Sequence, residues 1–195
     1  NYLGSGVKVN TQFSFSDTGV QVKLTTNNPN FKNTDRSLST SVQSSKTDRM
    51  SRFGYKTSKT GFSIGTNFEQ YENIYFSPSF SNYFESLKTS ATASDAKKKQ
   101  KGDYFDSNFN YALTLNKLNQ NFQPTAGFRS TFSQSLPIYS DDYSIENRYD
   151  FAKFFSPNDN AILSFRFLAH SINSLAGDDV RVSKRLYIPS KRLKG

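Results

Sequence analysis

Polar and apolar residues alternate with a period of two along most of this chain, the pattern of strands with one apolar face. Val7, Val9, Phe13 and Phe15 share one face; Lys8, Asn10, Gln12 and Ser14 share the other. After the turn Asp17-Thr18-Gly19, Val20, Val22 and Leu24 alternate with Gln21, Lys23 and Thr25. Asn27-Asn28-Pro29-Asn30 breaks that strand, because proline cannot donate to a ladder. A weaker strand surrounds Leu38, Thr40 and Val42, and another carries Phe62, Ile64, Thr66 and Phe68, with a start near Lys56. The next runs from Tyr71 to Leu87 with Ile74, Phe76 and Phe80 on one face, and its Pro78 predicts a bulge. Residues 88–102 read as a polar loop containing Lys97-Lys98-Lys99-Gln100-Lys101. In the clearest strand, Phe105, Phe109, Tyr111, Leu113 and Leu115 oppose Asp106, Asn108, Asn110, Thr114 and Asn116. A turn-rich link at Pro124-Thr125-Ala126-Gly127 leads to Phe128, Ser130, Phe132 and Leu136. A loop through Pro137 and Asp141-Asp142 precedes a strand with Ile145, Tyr149 and Phe151. Pro157-Asn158-Asp159-Asn160 reads as a tight turn before Leu163, Phe165, Phe167 and Ala169, and the tail from Ile172 reads as loop. The pattern predicts nine strands in up-and-down order and no helix.

The charges decide what the apolar face meets. Lys8, Lys23, Asp106, Arg129, Glu146, Arg148, Asp150 and Arg166 all fall on the less apolar face. One Lys or Arg against lipid costs about 2–4 kcal/mol at the membrane midplane, so a lipid-facing band must be free of charge. The opposite face, rich in Ser, Asn, Thr and mixed charges, suits a watery lumen. A soluble sandwich would also alternate. Here the apolar face interleaves Phe and Tyr with Ser and Asn, a sparse filling for a core. Hairpin order with alternating short and long connections also favours an outer-membrane barrel. Open edges in lipid would leave backbone groups unpaired, so nine strands are expected to be part of a larger closed barrel. The fold class is thus all-β: a fragment of an up-and-down antiparallel transmembrane β-barrel.

Composition sharpens this reading. Only 34% of the 195 residues are hydrophobic, yet aromatics reach 15%, with 19 Phe, 11 Tyr and no Trp. Low hydropathy excludes membrane helices, which need about 20 apolar residues in a row, but not membrane strands of about 10 residues with one apolar face. The net charge of +9 is spread along the chain rather than gathered into a nucleic-acid footprint. There is no Cys, hence no disulfide and no thiolate metal site. The chain opens at Asn1 within patterned sequence and stops at Gly195 within a basic stretch, as a piece of a longer chain would.

No constellation suggests catalysis, a cofactor or a metal. The single His170 is expected to face the lumen near a strand end as a structural residue. The doublets Asp141-Asp142 and Asp178-Asp179 lack partner ligands at metal spacing and read as solvated loop charges. The Lys97–Lys101 run reads as a solvated loop, or as a contact for lipopolysaccharide phosphates if it lies outside the cell. Tyr71, Tyr83, Tyr104 and Tyr143, near strand ends, are candidates for an aromatic girdle.

Several segments resemble the BamA family of outer-membrane assembly factors, also called bacterial surface antigens. Asn1-Tyr2-Leu3-Gly4-Ser5-Gly6 is similar to its N-[WFY]-L-G-[TS]-G turn. Thr26-Asn27-Asn28-Pro29-Asn30-Phe31 resembles its T-x-P-x-F turn with one extra residue. The stretch from Tyr111 to Leu118 and on through Pro124-Thr125-Ala126-Gly127-Phe128-Arg129 resembles the strand and P-T-x-G-x-R turn there. It makes Pro124, Thr125, Gly127 and Arg129 a periplasmic turn motif. Ser190-Lys191-Arg192-Leu193-Lys194-Gly195 resembles the approach to V-R-G-F, the tip of a long loop folded into the lumen. Leu193, Lys194 and Gly195 align with its first three positions. Lys194 stands in place of Arg, and the two are not equivalent at a paired, stacked site, which leaves Arg192 as the alternative contact.

The resemblance runs over essentially the whole chain. It implies the third to eleventh barrel strands in residues 1–171 and the start of the lumen loop in 172–195, without POTRA domains. It further implies a non-enzymatic factor of the bacterial outer membrane that folds and inserts other outer-membrane proteins. The implied partners are unfolded clients, assembly-complex lipoproteins, outer-membrane lipids and lipopolysaccharide, and not nucleic acid. The alternatives are a porin or a two-partner secretion or TamA-like translocation barrel, and a soluble all-β adhesin domain. Upstream POTRA repeats would separate out the first, and detergent-dependent solubility the second.

Overall fold

The computed structural model describes residues 6–158, 161–177 and 179–186. Among these the chain forms one antiparallel sheet whose spatial order is its sequence order. The strands are β1 Lys8–Ser16, β2 Gly19–Asn28, β3 Ser37–Arg49, β4 Tyr55–Tyr71, β5 Ile74–Thr89, β6 Gly102–Leu118, β7 Gly127–Ser140, β8 Ser144–Asn158 and β9 Ala161–Ser174. No helix among the described residues is long and apolar enough to cross a membrane.

Register carries the two faces across the sheet. Phe13 pairs with Val22, Leu24 with Val42, Val42 with Phe62, and Leu113 with Phe132, so the apolar residues of each strand meet those of the next. Aromatic rings touch along this face, as in Phe84–Phe105 at 5.3 Å and Phe128–Phe151 at 6.0 Å between centroids. Nothing covers them: Phe13 is 62% exposed, Phe84 63% and Phe165 57%. A soluble protein does not leave so broad an apolar surface open, and a single layer has no second sheet to cover it. The sandwich alternative is thereby excluded. Polar groups on this outer face satisfy one another. Tyr111 Oη donates to Gln134 Oε1 at 2.9 Å, and Gln134 Nε2 donates to Asn147 Oδ1 at 2.6 Å.

All eight charges assigned to the polar face lie on the other, inner side. The face is concave. Lys59 of β4, Glu146 of β8 and Ile172 of β9 line one cavity of about 310 Å³. In a flat sheet β4 and β9 would stand five strand spacings apart, about 24 Å. Charged side chains on the outer face stand only toward strand ends: Lys46, Asp48, Lys56, Lys88 and Asp103 at one end, Lys117 and Lys153 toward the other. Between them β6 is free of charge on that face from Phe105 to Leu115. Ten residue steps of about 3.3 Å, tilted by about 40°, rise roughly 25 Å, the height of a barrel's apolar band.

Several local expectations change. The weak strand around Val42 is thirteen residues long, because its polar residues pair with β4 along its whole length and with β2 from Leu38 to Thr47. Pro78 makes no bulge: the β4–β5 register is the same on both sides, and the ladder merely skips Thr66 and Asn67. The bulge lies instead where β7 passes Pro137, which is within the strand rather than in a loop. β8 likewise continues through Pro157 to Asn158, and β9 runs on to Ser174. Two single-turn helices appear where none was expected, α1 Met50–Phe53 and α2 Asp95–Lys98. Connections at both ends mix short with long: 17–18, 50–54, 90–101 and 141–143 at one end, 29–36, 72–73 and 119–126 at the other. Loop length alone therefore does not tell the ends apart.

Candidate functional site

After β9 the chain turns back onto the inner wall at the α1/α2 end, where Arg181, Leu87, Val182 and Asp106, the largest fully buried side chains among the described residues, come together. Leu175 N donates to Tyr143 O at 2.9 Å and starts the return. Val182 then enters an apolar cluster with Tyr55 of β4 and Leu87 of β5, against which Tyr104 of β6 packs. These residues share the inner face by register, so three neighbouring strands build the pocket. Val182 N also donates to Gln100 Oε1 at 2.8 Å, tying the segment to the 90–101 connection.

Arg181 occupies the centre with its side chain 2% exposed. Its Nη2 donates to Asp106 Oδ2 at 2.6 Å, a charge-assisted hydrogen bond. Nη1 lies 3.3 Å from Glu85 Oε2 and Nε 3.4 Å from Asp142 Oδ2; these are charge contacts without aligned N–H groups. The guanidinium also stands 4.1 Å from the centroid of the Tyr104 ring, a cation–π arrangement. Lys184 Nζ donates to Asp106 Oδ1 at 3.0 Å, Ser144 Oγ at 3.1 Å and Asp142 O at 3.2 Å. Ser140 Oγ sits 2.5 Å from Asp106 Oδ1 and fills its remaining acceptor direction. Three carboxylates of the wall thus hold two cations of the segment. A buried pair of this kind is tolerated only with such dense partnering, because desolvating each ion costs several kcal/mol.

The sequence reading missed this site. Asp106 was placed on the lumen face, but Arg181, Lys184 and Glu85 were not singled out. Asp142, expected as a solvated loop charge, is instead 13% exposed and faces Arg181 and Lys184. Asp179 remains solvated, 3.9 Å from Arg185, while Asp178 lies outside the described residues. Tyr104 and Tyr83 do not join an aromatic girdle: Tyr104 packs beneath Arg181, and the Tyr83 ring lies 4.3 Å from Lys59 Nζ on the inner face. Tyr71 and Tyr143 are exposed. In the Lys97–Lys101 run, Lys97 Nζ donates to Phe53 O at 2.8 Å and Lys98 pairs with Asp95 at 3.6 Å. His170 lies on the inner face, opposite Arg148, with Nε2 2.6 Å from Glu146 Oε1.

At the other end, Pro124, Thr125 and Gly127 lie in and just after the 119–126 connection. Asn119 Oδ1 accepts from Thr125 N at 3.2 Å and from Ala126 N at 3.1 Å, and Asn119 Nδ2 donates to Thr125 Oγ1 at 2.7 Å. Gly127 opens β7 with φ +95°, where a Cβ would meet Lys117 O at 2.0 Å. Arg129 lies two residues on, on the inner face opposite Asn116 and Ala152, and makes no ion pair among the described residues. Arg192, Leu193, Lys194 and Gly195 lie outside the described residues, as does the turn motif at the start of the chain up to Ser5.

An aromatic outer surface with charges only toward its two rims, a polar inner wall and a segment docked on that wall define part of a transmembrane β-barrel. The chain belongs to the Omp85 superfamily, whose domain matches residues 1–192. It is thus part of a bacterial outer-membrane protein, and barrels of this superfamily are non-enzymatic assembly or translocation factors. Among solved structures it is similar to BamA from Haemophilus ducreyi lacking POTRA domains 1–3, with a TM-score of 0.81 at 19% identity. That likeness covers 94% of this chain and 38% of that one, so the chain spans well under half the length of the BamA it matches. No curated protein matches the chain significantly.

Proposed function

We propose that this barrel belongs to a factor that folds and inserts other outer-membrane proteins. The observation that carries the reading is the docked segment 179–186. A passive porin needs an open lumen, whereas here Arg181 and Lys184 are committed to the inner wall through Glu85, Asp106 and Asp142. On this reading residues 1–171 and the end of β9 to Ser174 are barrel, and the rest of the chain to 195 begins a loop folded into the lumen, with Arg192, Leu193, Lys194 and Gly195 as its motif. Pro124, Thr125, Gly127 and Arg129 form a turn motif facing the periplasm. Partners are unfolded outer-membrane clients, assembly lipoproteins, outer-membrane lipids and lipopolysaccharide. Insertion would proceed without bond chemistry, by local thinning of the bilayer and by templating on unpaired strand edges.

Depletion of the full-length protein in its native cell tests this. Folded outer-membrane porins are expected to fall several-fold, measured as the heat-modifiable fraction on seminative gels. Unchanged porin levels, with loss of only one or a few secreted substrates, would assign the barrel to the translocation branch instead.

A further inference from the structure

On the outer face at the α1/α2 end, three neighbouring strands repeat one gradient. β3 runs Val42, Ser44, Lys46; β4 runs Phe62, Thr60, Ser58, Lys56; β5 runs Phe84, Ser86, Lys88. Lys46 pairs in register with Ser58, and Lys56 with Lys88. Each strand thus passes from hydrocarbon-compatible side chains through hydroxyls to a cation, in the order in which a bilayer leaflet passes from acyl chains to phosphates. Two like charges directly opposite on adjacent strands are destabilising unless an anion joins them. Asp48 meets Lys56 at 3.3 Å, but Lys46 and Lys88 have no ion pair among the described residues, and all three lysines are exposed.

The two connections above this row are joined. Ser90 N donates to Gly54 O at 2.9 Å, and Lys97 Nζ holds Phe53 O. Exposed Arg52, Lys99 and Lys101, also without ion pairs among the described residues, therefore belong to one joined cap at this end of the strands, together with Asp95, which pairs with Lys98. Asp103 on β6 is the acidic residue at its far border. The cations span two strand spacings, about 10 Å, plus the cap. That footprint exceeds a single phosphodiester and suits two phosphates set apart by the width of a disaccharide.

We infer that this face binds the phosphates of lipid A-type glycolipid in the outer leaflet through Lys46, Lys56 and Lys88, with Arg52, Lys99 and Lys101 above. The inference rests on the proposed orientation, with the α1/α2 end at the cell surface, and is independent of whether the barrel inserts clients.

The test uses full-length protein in phosphatidylethanolamine nanodiscs, with fluorescent bisphosphoryl lipid A as the probe. K46Q/K56Q/K88Q is expected to weaken binding about a hundredfold, at roughly fivefold per cation. K117Q/K153Q, toward the other end of the same face, leaves it unchanged. Seminative mobility checks folding; if the triple variant does not fold, K88Q alone decides, with an expected loss of about fivefold. A loss under threefold in the folded variant that decides would overturn the inference, as would displacement of the probe by phosphatidylglycerol at equal phosphate. Client insertion, measured in parallel, reports separately on the proposed function.

Discussion

Arg181→Ala removes the side chain on which docking of the 179–186 segment depends. Glu85, whose side chain is 3% exposed, would lose its 3.3 Å ion pair and keep its cross-strand neighbour Lys59, while Asp106, also 3% exposed, and Asp142 would keep Lys184. Removing one partner of a buried, hydrogen-bonded ion pair costs about 3–5 kcal/mol, because the remaining charge stays buried without its counterion. The cation–π contact with Tyr104 is lost with the same side chain and falls within that range. Lys184 still reaches Asp106 at 3.0 Å, and water can enter from the cavity beneath, so the lower end applies. About 3 kcal/mol is a shift of roughly a hundredfold in the docking equilibrium.

Hydrogen exchange on the full-length protein in nanodiscs reads this shift at two amides, Val182 N held by Gln100 Oε1 and Lys184 N held by Arg181 O. Both should exchange about a hundredfold faster in Arg181→Ala, while amides in the centre of β6 keep their protection. Arg181→Met combined with Glu85→Gln and Asp106→Asn should recover part of the loss, since it neutralises the two buried carboxylates that Arg181→Ala leaves without their guanidinium. If exchange at Val182 and Lys184 in Arg181→Ala stays within threefold of the parent, the segment is held by something other than this cluster, and the account of the site is wrong.

Two further substitutions test the wall itself. Phe109→Arg places a cation at the middle of the charge-free band and should destabilise the barrel by about 2–4 kcal/mol in urea titrations in phospholipid vesicles. Thr25→Arg, on the inner face, should stay within about 1 kcal/mol of the parent, and equal effects of the two would show that the faces are misassigned. Gly127→Ala forces a Cβ onto a φ of +95° and against Lys117 O, and should cost at least about 1–3 kcal/mol from the backbone alone. The folded yield on seminative gels should drop, and a yield equal to the parent's would mean that the β6–β7 turn does not require glycine.

Which face each strand residue takes was legible in the sequence, because a period of two is a local property. Lys23, Asp106, Arg148 and Arg166 each fall opposite the apolar residues of their own strand whatever the distant chain does, and the energy of a charge in hydrocarbon names that side as the lumen. Strand order followed as well, since each strand pairs with the next in sequence. Register needed the tertiary structure: β3 is long because β2 and β4 supply partners for residues with little strand preference of their own. So did Pro78 and Pro137, because a missing donor is harmless or disruptive according to what the neighbouring strand offers.

The anchor was beyond local reading altogether. Arg181 meets Asp106 across 75 residues, and no spacing in the chain marks it as different from the many other basic residues. Nor could Asp142 be told from a solvated loop charge before a cation was known to lie against it. Burial of a charge is settled by which opposite charges the folded wall brings to it, and only the inward curvature of the sheet from β4 to β8 brings Glu85, Asp106 and Asp142 within reach of one guanidinium.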